Sequence, residues 1–79
     1  MIKQATVKSF DGKEIRVQVG DWIGFKCDIE QSGQIIEIRR SNTLGGGYEF
    51  VLENKNGFIG GYIGGRTQTI EHANDCWAE

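Results

Sequence analysis

The residues best equipped for chemistry in this 79-residue chain are arginines placed beside glycine runs. Arg39 and Arg40 close an apolar run, and after a short polar stretch come Gly45, Gly46, Gly47 and Tyr48. Further on, "IGGYIGGR" (59–66) repeats the unit Ile-Gly-Gly-X, with Tyr62 and then Arg66 in the fourth place. Guanidinium groups hold phosphate oxygens by charge-assisted hydrogen bonds, and consecutive glycines can turn backbone N–H groups inward as an anion nest. Tyrosine rings offer a face to a planar base. Arg39, Arg40, Gly45, Gly46, Gly47, Tyr48, Gly60, Tyr62, Gly64 and Arg66 therefore form a candidate site for a small phosphate-bearing ligand.

The same glycines have an architectural reading. Inside a strand, glycine marks a bulge, a sharp bend or a close backbone crossing, and "SNTLGGG" also reads as a mobile hairpin loop. Neither run is a P-loop or a dinucleotide fingerprint, because no Lys-Ser/Thr and no helix follows.

His72, Asp75 and Cys76 are the only cluster with catalytic or metal-binding chemistry. With Cys27 they could offer zinc four ligands, but no close Cys or His pair has zinc spacing. A Cys-His nucleophile needs an orienting third group, a cleft and an oxyanion site, and eight terminal residues are too few to build them. Cys27 and Cys76 read as separate free thiols. The sequence thus implies no catalytic residue, metal or cofactor, and the expectation is a protein that binds rather than catalyses.

Charge narrows the partner. The net charge is −2; residues 1 to 40 hold seven Lys/Arg against six acids, and residues 41 to 79 hold two against five. A binder of long nucleic acid needs a basic surface to neutralise phosphates, so that class is disfavoured. No window approaches the roughly 18 apolar residues of a membrane span, and the N-terminus lacks a signal-like apolar run. A soluble, cytoplasmic protein is expected.

The elements that must carry these residues read as strands of one domain, 1–79. Asp11-Gly12 and Asn56-Gly57 predict two-residue type I′ turns. Residues 2–19 then form a hairpin, with Ile15, Val17 and Val19 alternating against polar neighbours. Trp22 to Cys27 is a third strand with Ile23, Phe25 and Cys27 on one face, and "EQSG" is the turn after it, ended by Gly33. "QIIEIRR" is a central strand with Ile36 and Ile38 on one face and Ile35, Glu37 and Arg39 on the other. Tyr48, Phe50 and Leu52 share a face of the next strand. Phe58 begins a glycine-rich strand with Gly60, Tyr62, Gly64 and Arg66 on one face and Ile59, Gly61, Ile63 and Gly65 on the core face. A last strand covers about Arg66 to Glu71, and "HANDCWAE" is a helical turn or strap that lays Trp77 on the core.

Five or six short antiparallel strands joined by tight turns make an all-β barrel or sandwich. "VQVGDWIGFKCDIEQSGQIIEI", residues 17–38, resembles the opening of SH3-like β-barrels, where a Val-x-x-Gly-Asp turn leads into an aromatic-rich strand. "TIEHANDCWAE" resembles the ends of small SH3-like barrel proteins of tailed phages. The resemblance implies a small SH3-like antiparallel barrel with a short C-terminal strap. It also implies a viral, anti-defence role in the host cytoplasm: sequestration of a nucleotide-derived immune signal. The alternative is a protein-interaction adaptor using an SH3-like groove or strand edge. Because 79 residues enclose a thin core, a homo-oligomer is expected.

Overall fold

The computed structural model describes residues 2–79. Seven strands and two short 3₁₀ turns follow in order: β1 (Gln4–Lys8), β2 (Glu14–Gln18), β3 (Trp22–Cys27), β4 (Ile29–Arg40), β5 (Tyr48–Glu53), the turn Gly61–Ile63, β6 (Gln68–His72), the turn Ala73–Asp75 and β7 (Cys76–Ala78). The fold is all-β. β6-β5-β4-β3-β7 form an open antiparallel sheet, and β1-β2 form a separate hairpin. None of the helices among the described residues is long and apolar enough to cross a membrane.

Alternation sets the core. Ile23 and Phe25 of β3, Ile35 and Ile38 of β4, and Phe50 and Leu52 of β5 turn to one face of the sheet, where Val7 and Val17 of the hairpin cover them. Phe58 and Ile63 complete the cluster from the loop between β5 and β6, Phe58 meeting Phe25 edge-on at 5.5 Å. The hairpin is stitched to the sheet by backbone bonds: Phe10 N–H to Cys76 O at 2.7 Å, Gly20 N–H to Ile35 O at 2.8 Å, and a bridge between Ile2 and Ile38.

Four expectations require correction. Both Xaa-Gly turns fall where expected, but one residue out of phase. Gly12 N–H bonds Ser9 O and Gly57 N–H bonds Asn54 O, so the central pairs are Phe10-Asp11 and Lys55-Asn56. Asp11 and Asn56 do not have positive φ, whereas Gly12 (+79°) and Gly57 (+88°) do. This is the longer hairpin loop with its left-handed residue after the turn, and only glycine enters that conformation without steric cost.

The turn after β3 is at Asp28 (φ +71°), and "EQSG" lies inside the twelve-residue strand β4. Gly33 is buried there because a Cβ would stand 3.0 Å from Leu52 Cβ and 3.2 Å from Phe58 Cζ.

A bulge shifts the β4–β5 register between Ile35 and Glu37. The extra residue reverses the alternation, so Ile35 and Ile38 are both buried while Ile36 is 37% exposed.

The glycine-rich segment is a folded-back loop, and β6 begins only at Gln68. Phe58 and Ile63 point inward, and Ile59 and Tyr62 point out. The tail does form a helical turn, then adds an edge strand on β3.

Candidate functional site

The glycines of "IGGYIGGR" sit where the loop crosses the β3–β4 turn. A Cβ on Gly60 would stand 2.8 Å from Asp28 Oδ2, and one on Gly61 would stand 2.8 Å from Cys27 Sγ. Both residues have positive φ, +75° and +58°. The Gln31 side chain clamps the crossing by donating to Ile59 O at 3.0 Å and accepting from Ile59 N–H at 3.1 Å. Gly64 packs on Gly60, where a Cβ would meet the Gly60 nitrogen at 3.2 Å. The close crossing accounts for these glycines, and Phe58 is buried in the core while Tyr62 and Arg66 are exposed, so the three do not share one face.

The arginines divide between two ends of the sheet. Arg39 lies directly across from Glu49 and donates Nε–H to its carboxylate at 2.8 Å, with Glu37 3.8 Å from its other nitrogen. The Arg40 guanidinium lies over the Tyr48 ring, 5.4 Å from its centre. Arg66 is exposed and follows the 3₁₀ turn before β6, its backbone paired with Phe58. Tyr48 begins β5 and Glu53 ends it; five residues at roughly 3.3 Å each separate the two ends by about 17 Å.

Around Tyr62 the field is acidic. Tyr62 is 77% exposed, and the Glu71 carboxylate raises its phenol above the ordinary value, with Asp75 adding to the effect and Arg66 opposing it. Glu71 is itself raised by burial, although Thr69 Oγ–H donates to it at 2.8 Å. A phosphate entering here would face the Glu71 carboxylate, which outweighs the Arg66 guanidinium at the Tyr62 hydroxyl.

The loop Thr43–Gly47 closes a second hollow. Gly45, Gly46 and Gly47 all have positive φ and, with Lys8, Tyr48, His72 and Asp75, line about 460 Å³. His72 holds the loop: Nε2 lies 2.8 Å from Gly46 O, and Nδ1 accepts from Asn74 N–H at 3.2 Å. The second bond requires an unprotonated Nδ1, so Nε2 carries the proton and donates. Cys76 is buried and its thiol donates to the His72 carbonyl rather than to the ring. Burial, with Glu71 and Asp75, pushes that thiol up to about 12, which keeps it protonated and poorly nucleophilic. Among the described residues no group of three His, Cys, Asp or Glu could hold a metal ion.

A third depression, unseen in the sequence, is larger than the second hollow. Beyond Gln34, β4 runs past the end of β3. Ile2, Lys3, Gln18 and Val19 face its Ile36–Arg40 segment across a groove of about 820 Å³. Arg39 and Arg40 belong to this groove, whereas the glycine loop belongs to the second hollow and Arg66 to neither. Only the bulge turns Ile36 outward, and it leaves no mark on a run in which Ile35, Ile36 and Ile38 give either parity an apolar residue. Comparison with models of known protein families, with curated proteins and with solved structures yields no match.

Proposed function

We propose that the protein is a non-enzymatic binding module of SH3-like architecture whose β4 groove takes an extended segment of another protein. One observation carries this reading: the cationic and glycine-rich groups do not converge, while an apolar groove with a cationic rim does form. Ile2, Val19, Ile36 and Ile38 supply its aliphatic surface, with Lys3 and Arg40 as the cations at its rim. Arg39 is neutralised by Glu49 and adds little field. The backbone adds donors. Ser41 N–H bonds Gly47 O, which fixes the phase of the β4–β5 ladder and turns the Arg40 N–H and C=O toward the groove. An extended segment with aliphatic side chains next to an acidic residue matches this surface, because strand-like peptides bind through main-chain bonds and alternate side-chain pockets.

The hollow under the glycine loop supports a second reading, the capture of a small phosphate-bearing ligand in the manner the phage resemblance implies. Lys8 and three left-handed glycines border it, and such backbone can present N–H groups to an anion. Asp75 and the absence of Arg66 weigh against it.

Calorimetric titration with two panels separates the readings. Aliphatic peptides with a flanking Asp or Glu should bind the wild type, and Ile36→Asp or Val19→Asp should weaken them at least tenfold, about 1.4 kcal/mol or more. Binding confined to nucleotides, and lost on Lys8→Ala, would replace the groove reading with the second one.

A further inference from the structure

We propose that two copies of this chain pair through β6, joining their sheets antiparallel about a two-fold axis at Ile70. The inference is independent of the groove, which lies on the other side of β4 from β5 and β6.

The strand edges of the fold are not equally protected. β1 is tied at both ends, by the Ile2 bridge to Ile38 and by the Phe10 N–H to Cys76 O bond, and the latter also covers β7. β2 presents Glu14 and Arg16, and its Gln18 N–H is taken by the Asp21 carboxylate at 3.0 Å. Charged side chains of that kind guard an edge against pairing. β6 pairs with β5 alone over five residues without a bulge. It carries no Lys, Arg or Pro, its one carboxylate, Glu71, is half-buried and held by Thr69, and Ile70 at its centre is 53% exposed.

The phase of its backbone is fixed. Asn54 N–H bonds Thr67 O at 2.9 Å, and in an antiparallel ladder bonded residues alternate. Thr67, Thr69 and Glu71 therefore turn their backbone groups to β5, and Gln68 and Ile70, with the His72 N–H, turn theirs outward, while the His72 carbonyl accepts from the Cys76 thiol.

Self-pairing has few registers. An axis at Ile70 sets Ile70 against Ile70 of the partner subunit and Gln68 against His72 of the partner subunit; with the His72 carbonyl already accepting from the Cys76 thiol, about four hydrogen bonds form, two between the Ile70 backbones and two from His72 N–H to Gln68 C=O. An axis at Thr69 leaves His72 unpaired, and one at Glu71 sets two carboxylates face to face, which is destabilising. The Ile70 register has matching charges beyond the strand. Arg66 has no ion-pair partner among the described residues, and it would extend toward Asn74 and Asp75 of the partner subunit, twice by symmetry. Such a self-complementary patch is what a two-fold interface requires.

Light scattering on the full chain should give about twice the chain mass of 8.8 kDa. Ile70→Lys should return it to one chain mass with an unchanged circular dichroism spectrum. In a Cys27→Ser background, Ile70→Cys should form a disulfide-linked dimer on mild oxidation, while Lys26→Cys on β3 should not. A wild type of single-chain mass, a dimer that persists in Ile70→Lys, or an Ile70→Cys variant that fails to crosslink would each overturn the proposal.

Discussion

The indole of Trp77 lies on the bare backbone of Gly24, so close that a Cβ on Gly24 would stand 2.1 Å from its Nε1. The two residues are direct partners across β3 and β7, and Phe10 closes the other side of the ring edge-on at 6.1 Å. The chain's C-terminal strand is thereby fastened on one face by a side chain that only glycine admits.

Gly24→Ala should therefore destabilise by about 1–3 kcal/mol, the usual cost of overpacking, and Trp77→Ala by a similar amount through lost burial. The double variant should cost less than the sum, because the clash needs both side chains. Urea unfolding of the four proteins measures the coupling; strict additivity would mean that Trp77 is not seated on Gly24.

The glycines of the loop should separate by what surrounds them. Gly61→Val meets Cys27 Sγ and a positive φ together, whereas Gly65→Ala meets open space and a positive φ alone. The first should cost well over 2 kcal/mol and the second about 1 kcal/mol. Thermal unfolding of the two variants should rank them in that order.

Glu71 links stability to pH. Burial raises its carboxyl above the ordinary value, so the folded state binds the proton more tightly than the unfolded chain. Its contribution is fully present below the unfolded-state pKa and is lost as pH rises through the folded-state pKa. Glu71→Gln keeps an acceptor for Thr69 and removes the charge. The variant should melt above the wild type at neutral pH, and the gap should close as the solution is acidified into the carboxylate range.

The parts of the fold that the sequence discloses are those where one physical pattern acts alone. β3 and β5 place Ile23 and Phe25, and Phe50 and Leu52, two apart on the core face, and the turns at Gly12 and Gly57 need a left-handed residue that glycine supplies. Ile35, Ile36 and Ile38 hide the bulge because either parity is apolar, so which isoleucine faces water is decided by pairing with Val51 and Leu52. Phe58, Ile63 and the intervening glycines mimic a strand, yet Gly60 and Gly61 answer to Asp28 and Cys27, more than thirty residues earlier in the chain. The candidate arginines were visible one by one. Their separation was not, because it follows from which end of β5 each one reaches.

The glycine loop should depend on one tautomer of His72. The imidazole accepts from Asn74 N–H at Nδ1 and donates from Nε2 to Gly46 O, so a single ring form serves both the last 3₁₀ turn and the loop over the second hollow. Nitrogen-detected NMR should show the Nε2–H tautomer. His72→Ala removes both bonds, so amide exchange should quicken at Asn74, which loses its acceptor, and at Gly46, whose own N–H bonds Thr43 O inside the loop. His72→Gln lacks the paired ring geometry and can serve one end at most, so it should protect either Asn74 or the loop but not both. Unchanged protection of Asn74 in His72→Ala would show that the ring does not cap the turn.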